Sequence, residues 1–189
     1  MPDYTPRFLV IQNGARHNYA IPAAFQRAGT LAGVYTDVVA THGVGAMLSR
    51  LAPPASRFAE VLRRRAPPAE IGGNITEVGP ALLAGRAVSA VAGARAGMRA
   101  YTRLSQRQMA KRGMQGATHI YTMFGEGGAF LERARNEGLG IVGDVYIALS
   151  ADEIVAQEAA RFPDWADEVP KRTTAEQRVA LNRWLLTFS

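Results

Sequence analysis

The sequence predicts an α/β fold, an open parallel sheet with helices on both faces. Three observations carry that expectation. Short apolar runs at 7–12, 31–39, 118–123 and 139–145 have the length and continuity of strands buried on both faces. Each is followed by a stretch whose apolar residues recur at helical spacing. Gly, Asn or Asp residues bound the runs, the punctuation that separates strand, helix, strand units joined by right-handed crossovers.

Taken in order, Phe8, Leu9, Val10 and Ile11 form the first strand, and the loop Asn13 to Asn18 ends at a capping residue, Asn18. Tyr19, Ile21, Ala24, Phe25 and Ala28 then mark one face of a helix that Gly29 stops. The second strand centres on Val34, Tyr35 and Thr36. Helices are expected at 44–51 and 56–65, bounded by Pro53-Pro54 and Pro67-Pro68, with a short strand at 75–78 and a helix-prone stretch at 82–113 that breaks near Gly93. His119 to Met123 is the next strand, the loop Phe124 to Gly128 follows, and a helix at 129–137 is closed by Gly138. Ile141 to Val145 is the last strand. Ser150 and Glu153 form a capping box for a helix at 150–162. A final helix at 174–188 is of the kind that leads into a further strand or packs on a second domain.

The chain's 189 residues fit one domain of roughly 100 to 200 residues. With 48% hydrophobic and 20% charged residues it has the content for a core, which excludes a disordered chain. The absence of cysteine excludes disulfides, thiolate metal sites and a cysteine nucleophile. No signal-peptide core or membrane span is apparent, so the expected location is cytoplasmic, or peripheral at an inner membrane surface. Residues 50–115 hold twelve Lys and Arg against three acids, a cationic belt within a net charge of +6. Such a belt suits anionic partners. Nucleic acid is disfavoured, because Phe58 and Tyr101 are the only aromatics there to stack on bases.

No G-x-G-x-x-G, P-loop, G-x-S-x-G or H-E-x-x-H pattern occurs, and His17, His42 and His119 have no metal-ligand spacing, so no metal site is expected. Two loops remain, both at carboxyl ends of strands, where open α/β sheets bind ligands. The first offers backbone N–H groups of Asn13 and Gly14 together with Arg16 and His17, a combination suited to an anion. The second, Phe124, Gly125, Glu126 and Gly127, places a carboxylate among glycines to hydrogen-bond hydroxyls. Tight turns with a solvated Arg and Glu remain the alternative reading, with His17 as a loop or capping residue. Arg95, Arg99, Arg103, Arg107 and Lys111 recur at four-residue spacing, a stripe along one helix that either meets an anionic surface or is a solvated face paired with acids.

The stretch Asn13 to Asp37, the strand and loop His119 to Gly128, the helix from Phe130 to Gly138 with the strand ending in Asp144, and Glu158 to Trp165 together resemble the N-terminal half of a family-4 glycosyltransferase. The resemblance covers both ends of the chain and hardly the middle. It implies a Rossmann-like domain that is one half of a GT-B architecture, with residues 1–189 as the acceptor-binding side. It also implies that Gly14 to Arg16 and Phe124 to Gly128 face the cleft, and that the acceptor is a sugar, a glycan or a lipid-linked molecule. Many family members carry paired glycines and an acid in the first loop, where this chain has Asn-Gly-Ala-Arg-His, and the family's E-x7-E signature has no counterpart after Phe188. The expectation is therefore that the C-terminal donor domain is absent, that no cofactor binds this domain, and that the nucleotide-sugar donor belongs to the complete enzyme. The competing reading is a non-catalytic Rossmann-like module whose stripe docks on an anionic partner or membrane surface.

Overall fold

Five parallel strands form one sheet in the order β3-β2-β1-β4-β5 in the computed structural model, which describes residues 5–123, 125–145, 149–165 and 179. They are β1 (Phe8–Ile11), β2 (Leu31–Thr36), β3 (Ile75–Glu77), β4 (His119–Met123) and β5 (Gly140–Asp144). In the register, Val10 of the central strand stands opposite Val34 on one side and Tyr121 on the other. Helices α1 (Ala20–Arg27), α2 (Gly43–Leu51), α3 (Arg57–Arg63), α4 (Ala69–Gly72), α5 (Gly79–Ala92), α6 (Ala94–Arg112), α7 (Ala129–Asn136) and α8 (Leu149–Arg161) connect or follow the strands. The Rossmann-like α/β architecture expected from the sequence is thus present.

The strands are apolar without alternation because the sheet is covered twice. Leu9, Ile11, Tyr35 and Ile120 point to one side and pack with Met109 of α6 and Phe130, Leu131 and Ala134 of α7. Val10, Val34 and Ile75 point to the other and pack with Tyr19, Ala23 of α1 and Ile71 of α4. Each fully buried aliphatic side chain contributes about 1.5–3 kcal/mol. That sum holds β1 in place at the centre.

The middle of the chain is a helical hairpin. Gly93 has φ +83° and separates α5 from α6 at the break the sequence suggests. The two helices approach closely: a β-carbon at Gly97 would lie 2.5 Å from the Gly85 carbonyl oxygen. The hairpin starts three residues earlier than expected, at Gly79, and Pro80 sits in its first turn, where its missing N–H costs nothing.

Two expectations are corrected. Asn18 does not cap α1: His17, Asn18 and Tyr19 have φ of 49°, 51° and 59°, a left-handed turn that drives Tyr19 into the core before the helix begins at Ala20. This turn rotates the helix, so Pro22 and Ala23 are buried while Ala24 and Ala28 are exposed. Ser150 stands inside α8, which begins at Leu149, and is not its N-cap. The single turn α4 carries no expectation from the sequence, because four residues are too few to show a helical period. The helix expected at 174–188 lies outside the described residues apart from Val179, as does Phe124. Among the described residues, no helix is long and apolar enough to cross a membrane.

Candidate functional site

The strand order creates a crevice. From β1 the chain steps outward through β2 to β3, then returns through α5 and α6 to β4 on the other side of β1. The segments after β1 and β4 therefore leave the sheet in opposite directions, and the gap between them is where open α/β sheets take ligands. Both sequence-derived loops lie here, and they are bonded to each other: the Asn13 N–H donates to Glu126 Oε2 at 2.9 Å.

Three further residues complete the arrangement. The Gly14 N–H donates to Asp37 Oδ1 at 2.8 Å, and Asp37, at the end of β2, also accepts from the Val38 N–H. Arg65, just after α3, donates to both oxygens of Asp37 at 2.7 Å. Its guanidinium lies 3.4 Å from where a β-carbon on Gly14 would stand, and Gly14 has φ +74°. A side chain there would be strained and would crowd the ion pair. Tyr101 of α6 donates its hydroxyl to Asn13 Oδ1 at 2.6 Å. Buried Gln12 donates to the Gly14 carbonyl.

The backbone N–H groups that the sequence offers to an outside anion are thus taken by the chain's own carboxylates. Arg16, on the short helical turn Arg16–Tyr19, stands with Nη2 3.5 Å from Glu126 Oε1, and His17 is exposed on that turn. Glu126 itself is 6% exposed, and its Oε1 accepts no hydrogen bond among the described residues. Burial pushes its carboxyl up to about 7, with the Arg16 charge and the Asn13 N–H opposing and Asp37 adding to the rise. Burial, reinforced by Asp37 and Glu126, likewise keeps the Tyr101 phenol protonated.

A cavity of about 50 Å³ opens beside Glu126, lined in part by Asn13, Thr36, Tyr101, Ser105, Gly125 and Gly127. It has room for water and marks where a ligand's polar atom would enter. A carboxyl group pushed up toward neutrality, with one oxygen that faces the Arg16 charge but accepts no hydrogen bond among the described residues, can accept a hydroxyl's hydrogen bond and take up its proton. Among the described residues no group of three or more His, Asp or Glu is placed to hold a metal ion.

The five cations of the stripe are all exposed on α6, but they divide. Arg95, Arg99 and Arg103 border a hollow with Met98, Thr102 and Gln106, whereas Lys111 borders another with Thr76, Glu77 and Arg112. Asp144, part of the resemblance, accepts the Tyr121 hydroxyl at 2.6 Å and, among the described residues, makes no bond to those around Glu126.

Asp37, Arg65 and Tyr101 are the site residues the sequence did not single out. Asp37 was within reach of the rule that found the two loops, because it ends a strand. Arg65, in the turn after α3, and Tyr101, on α6, lie 28 and 88 residues away from their partners, and nothing local marks them.

Comparison with known proteins found no matching family model, no matching curated protein and no matching solved structure.

Proposed function

We propose that this chain is the acceptor-binding half of a glycosyltransferase of GT-B architecture. The observation that supports the reading is Glu126: a buried carboxyl between β1 and β4, held on one oxygen by the Asn13 N–H, while the other, 3.5 Å from Arg16 Nη2, accepts no hydrogen bond among the described residues. An acceptor sugar would donate a hydroxyl to Oε1, and Glu126 would take that proton as the hydroxyl oxygen bonds to the anomeric carbon of the donor sugar and the bond from that carbon to the nucleotide diphosphate breaks, the diphosphate leaving with its electron pair. The nucleotide-sugar would be carried by a second domain facing the crevice. Tyr101 and Asn13 set the wall that positions the hydroxyl, and Arg16 balances the charge while Glu126 is ionised.

Saturation-transfer NMR of the chain with a panel of neutral monosaccharides tests the reading. It expects binding that Glu126→Gln weakens about tenfold, the loss of about 1.4 kcal/mol associated with a hydrogen bond to a charged acceptor. Titration with nucleotide-sugars should give no strong binding. Absence of monosaccharide binding, or sub-micromolar affinity for a nucleotide-sugar, contradicts it.

A second reading is a non-catalytic module that docks on an anionic surface, and the exposure of all five cations on α6 favours it. It expects retention on anionic but not neutral vesicles that fades with salt.

A further inference from the structure

The hollow on the outer side of α6 is next to the crevice, and the two share residues. Thr102 and Gln106 line both the cavity beside Glu126 and the hollow bordered by Met98, Arg99 and Arg103. The Gln106 side chain also lies against Gly128, so it closes the loop after β4 from the α6 side. The crevice and the arginines are therefore adjacent across Thr102 and Gln106, on a helix that advances about 1.5 Å per residue.

The chemistry of this hollow is distinctive. Its volume is about 350 Å³. Met98 is 64% exposed and supplies an apolar wall, and Arg99 and Arg103 line the hollow beside it. Among the described residues neither Arg99 nor Arg103 forms an ion pair. They stand one turn apart, a spacing at which like charges repel unless an anion lies between them. Arginine's planar fork matches the oxygens of phosphate two at a time. Arg107 and Lys111 continue the same spacing but line neither the crevice nor this hollow.

We propose that Arg99 and Arg103 form a subsite for a phosphate group on the acceptor, so that the acceptor is a phosphorylated polyol whose hydroxyl reaches Glu126. The inference rests on the acceptor-binding reading above and names its substrate class. A soluble sugar phosphate and a lipid headgroup present the same phosphate chemistry to the arginines, and soluble and vesicle probes separate them.

The test uses the full chain, with glucose and glucose 6-phosphate as soluble probes and phosphatidylglycerol or phosphatidylcholine vesicles as lipid probes. The wild type should bind glucose 6-phosphate at least tenfold more tightly than glucose, and the advantage should shrink with salt. In the Arg99→Gln, Arg103→Gln double variant the advantage disappears while glucose binding stays. The Arg107→Gln, Lys111→Gln double variant keeps both. Retention on phosphatidylglycerol alone, without a gain for glucose 6-phosphate, and lost only in the Arg99, Arg103 variant, supports the same subsite and assigns the phosphate to a lipid. Glucose binding with no gain from phosphate on either probe overturns the subsite and leaves the acceptor reading standing. Equal losses in the two double variants overturn it in favour of diffuse charge. No binding of any probe overturns both.

Discussion

The crevice between β1 and β4 and the outer face of α6 are both charged, and they are built in opposite ways. In the crevice every charge is bonded across long stretches of chain: Asp37 to Gly14 and Arg65, Glu126 to Asn13 and Arg16. On α6 the cations stand in solvent, and among the described residues Arg99, Arg103, Arg107 and Lys111 have no ion-pair partner. Burial makes a charge expensive, so the fold must satisfy it or shift its proton affinity. Water makes the α6 charges cheap, so they neither stabilise nor constrain the fold. The proposed acceptor chemistry therefore draws on the first region, and the proposed attraction of anions on the second.

The comparison breaks first at Asp37. Asp37→Ala leaves Arg65 and the Gly14 N–H without their acceptor in a largely buried place, and should cost about 3–5 kcal/mol. Urea unfolding measures it, and a loss under about 1 kcal/mol would mean that the pair is solvated like the α6 charges.

Glu126→Gln sharpens the contrast through pH. The folded chain holds the Glu126 proton more tightly than an ordinary carboxyl of 4.5, up to about 7. Its contribution to stability is therefore full below about 4.5 and is lost as pH rises through about 7. At pH 8 the variant should be more stable than wild type by up to about 3 kcal/mol, and at pH 4 the two should nearly coincide. Thermal unfolding at the two pH values reads this, and a variant less stable at pH 8 contradicts the sign.

Tyr101→Phe removes one hydroxyl bond to Asn13 and should cost about 1 kcal/mol by denaturant unfolding. At the small end, Arg107→Gln should change stability by no more than about 0.5 kcal/mol in the same measurement. A larger loss would reveal a structural partner for the stripe.

The sheet was legible because burial on both faces demands unbroken apolar runs, and Leu9, Val10, Val34 and Ile120 supply them. The α5–α6 hairpin was legible at Gly93, where a helix must stop, but not at Gly97, whose lack of a side chain matters only when another helix lies against it. The left-handed turn at His17, Asn18 and Tyr19 was not legible, since nothing local favours positive φ at Tyr19; the core pocket that receives its ring decides it. In the site, the loops were found by the rule that ligands collect at carboxyl ends of strands. Their bonding partners were missed because Arg65 and Tyr101 are brought in by tertiary packing. The stripe on α6 was visible as a spacing, yet its division into a crevice-side group and a flank needed the neighbours of each residue.

The account turns on Glu126 being a buried carboxyl that exchanges its proton near neutrality. Carbon-13 NMR of glutamate side-chain carboxyls, followed from pH 3 to pH 9 in the wild type and in Glu126→Gln, observes that group directly. One resonance, absent from the variant, should titrate with a midpoint near about 7. A Glu126 resonance that titrates at the ordinary 4.5 would show the carboxyl to be solvated and would contradict the account.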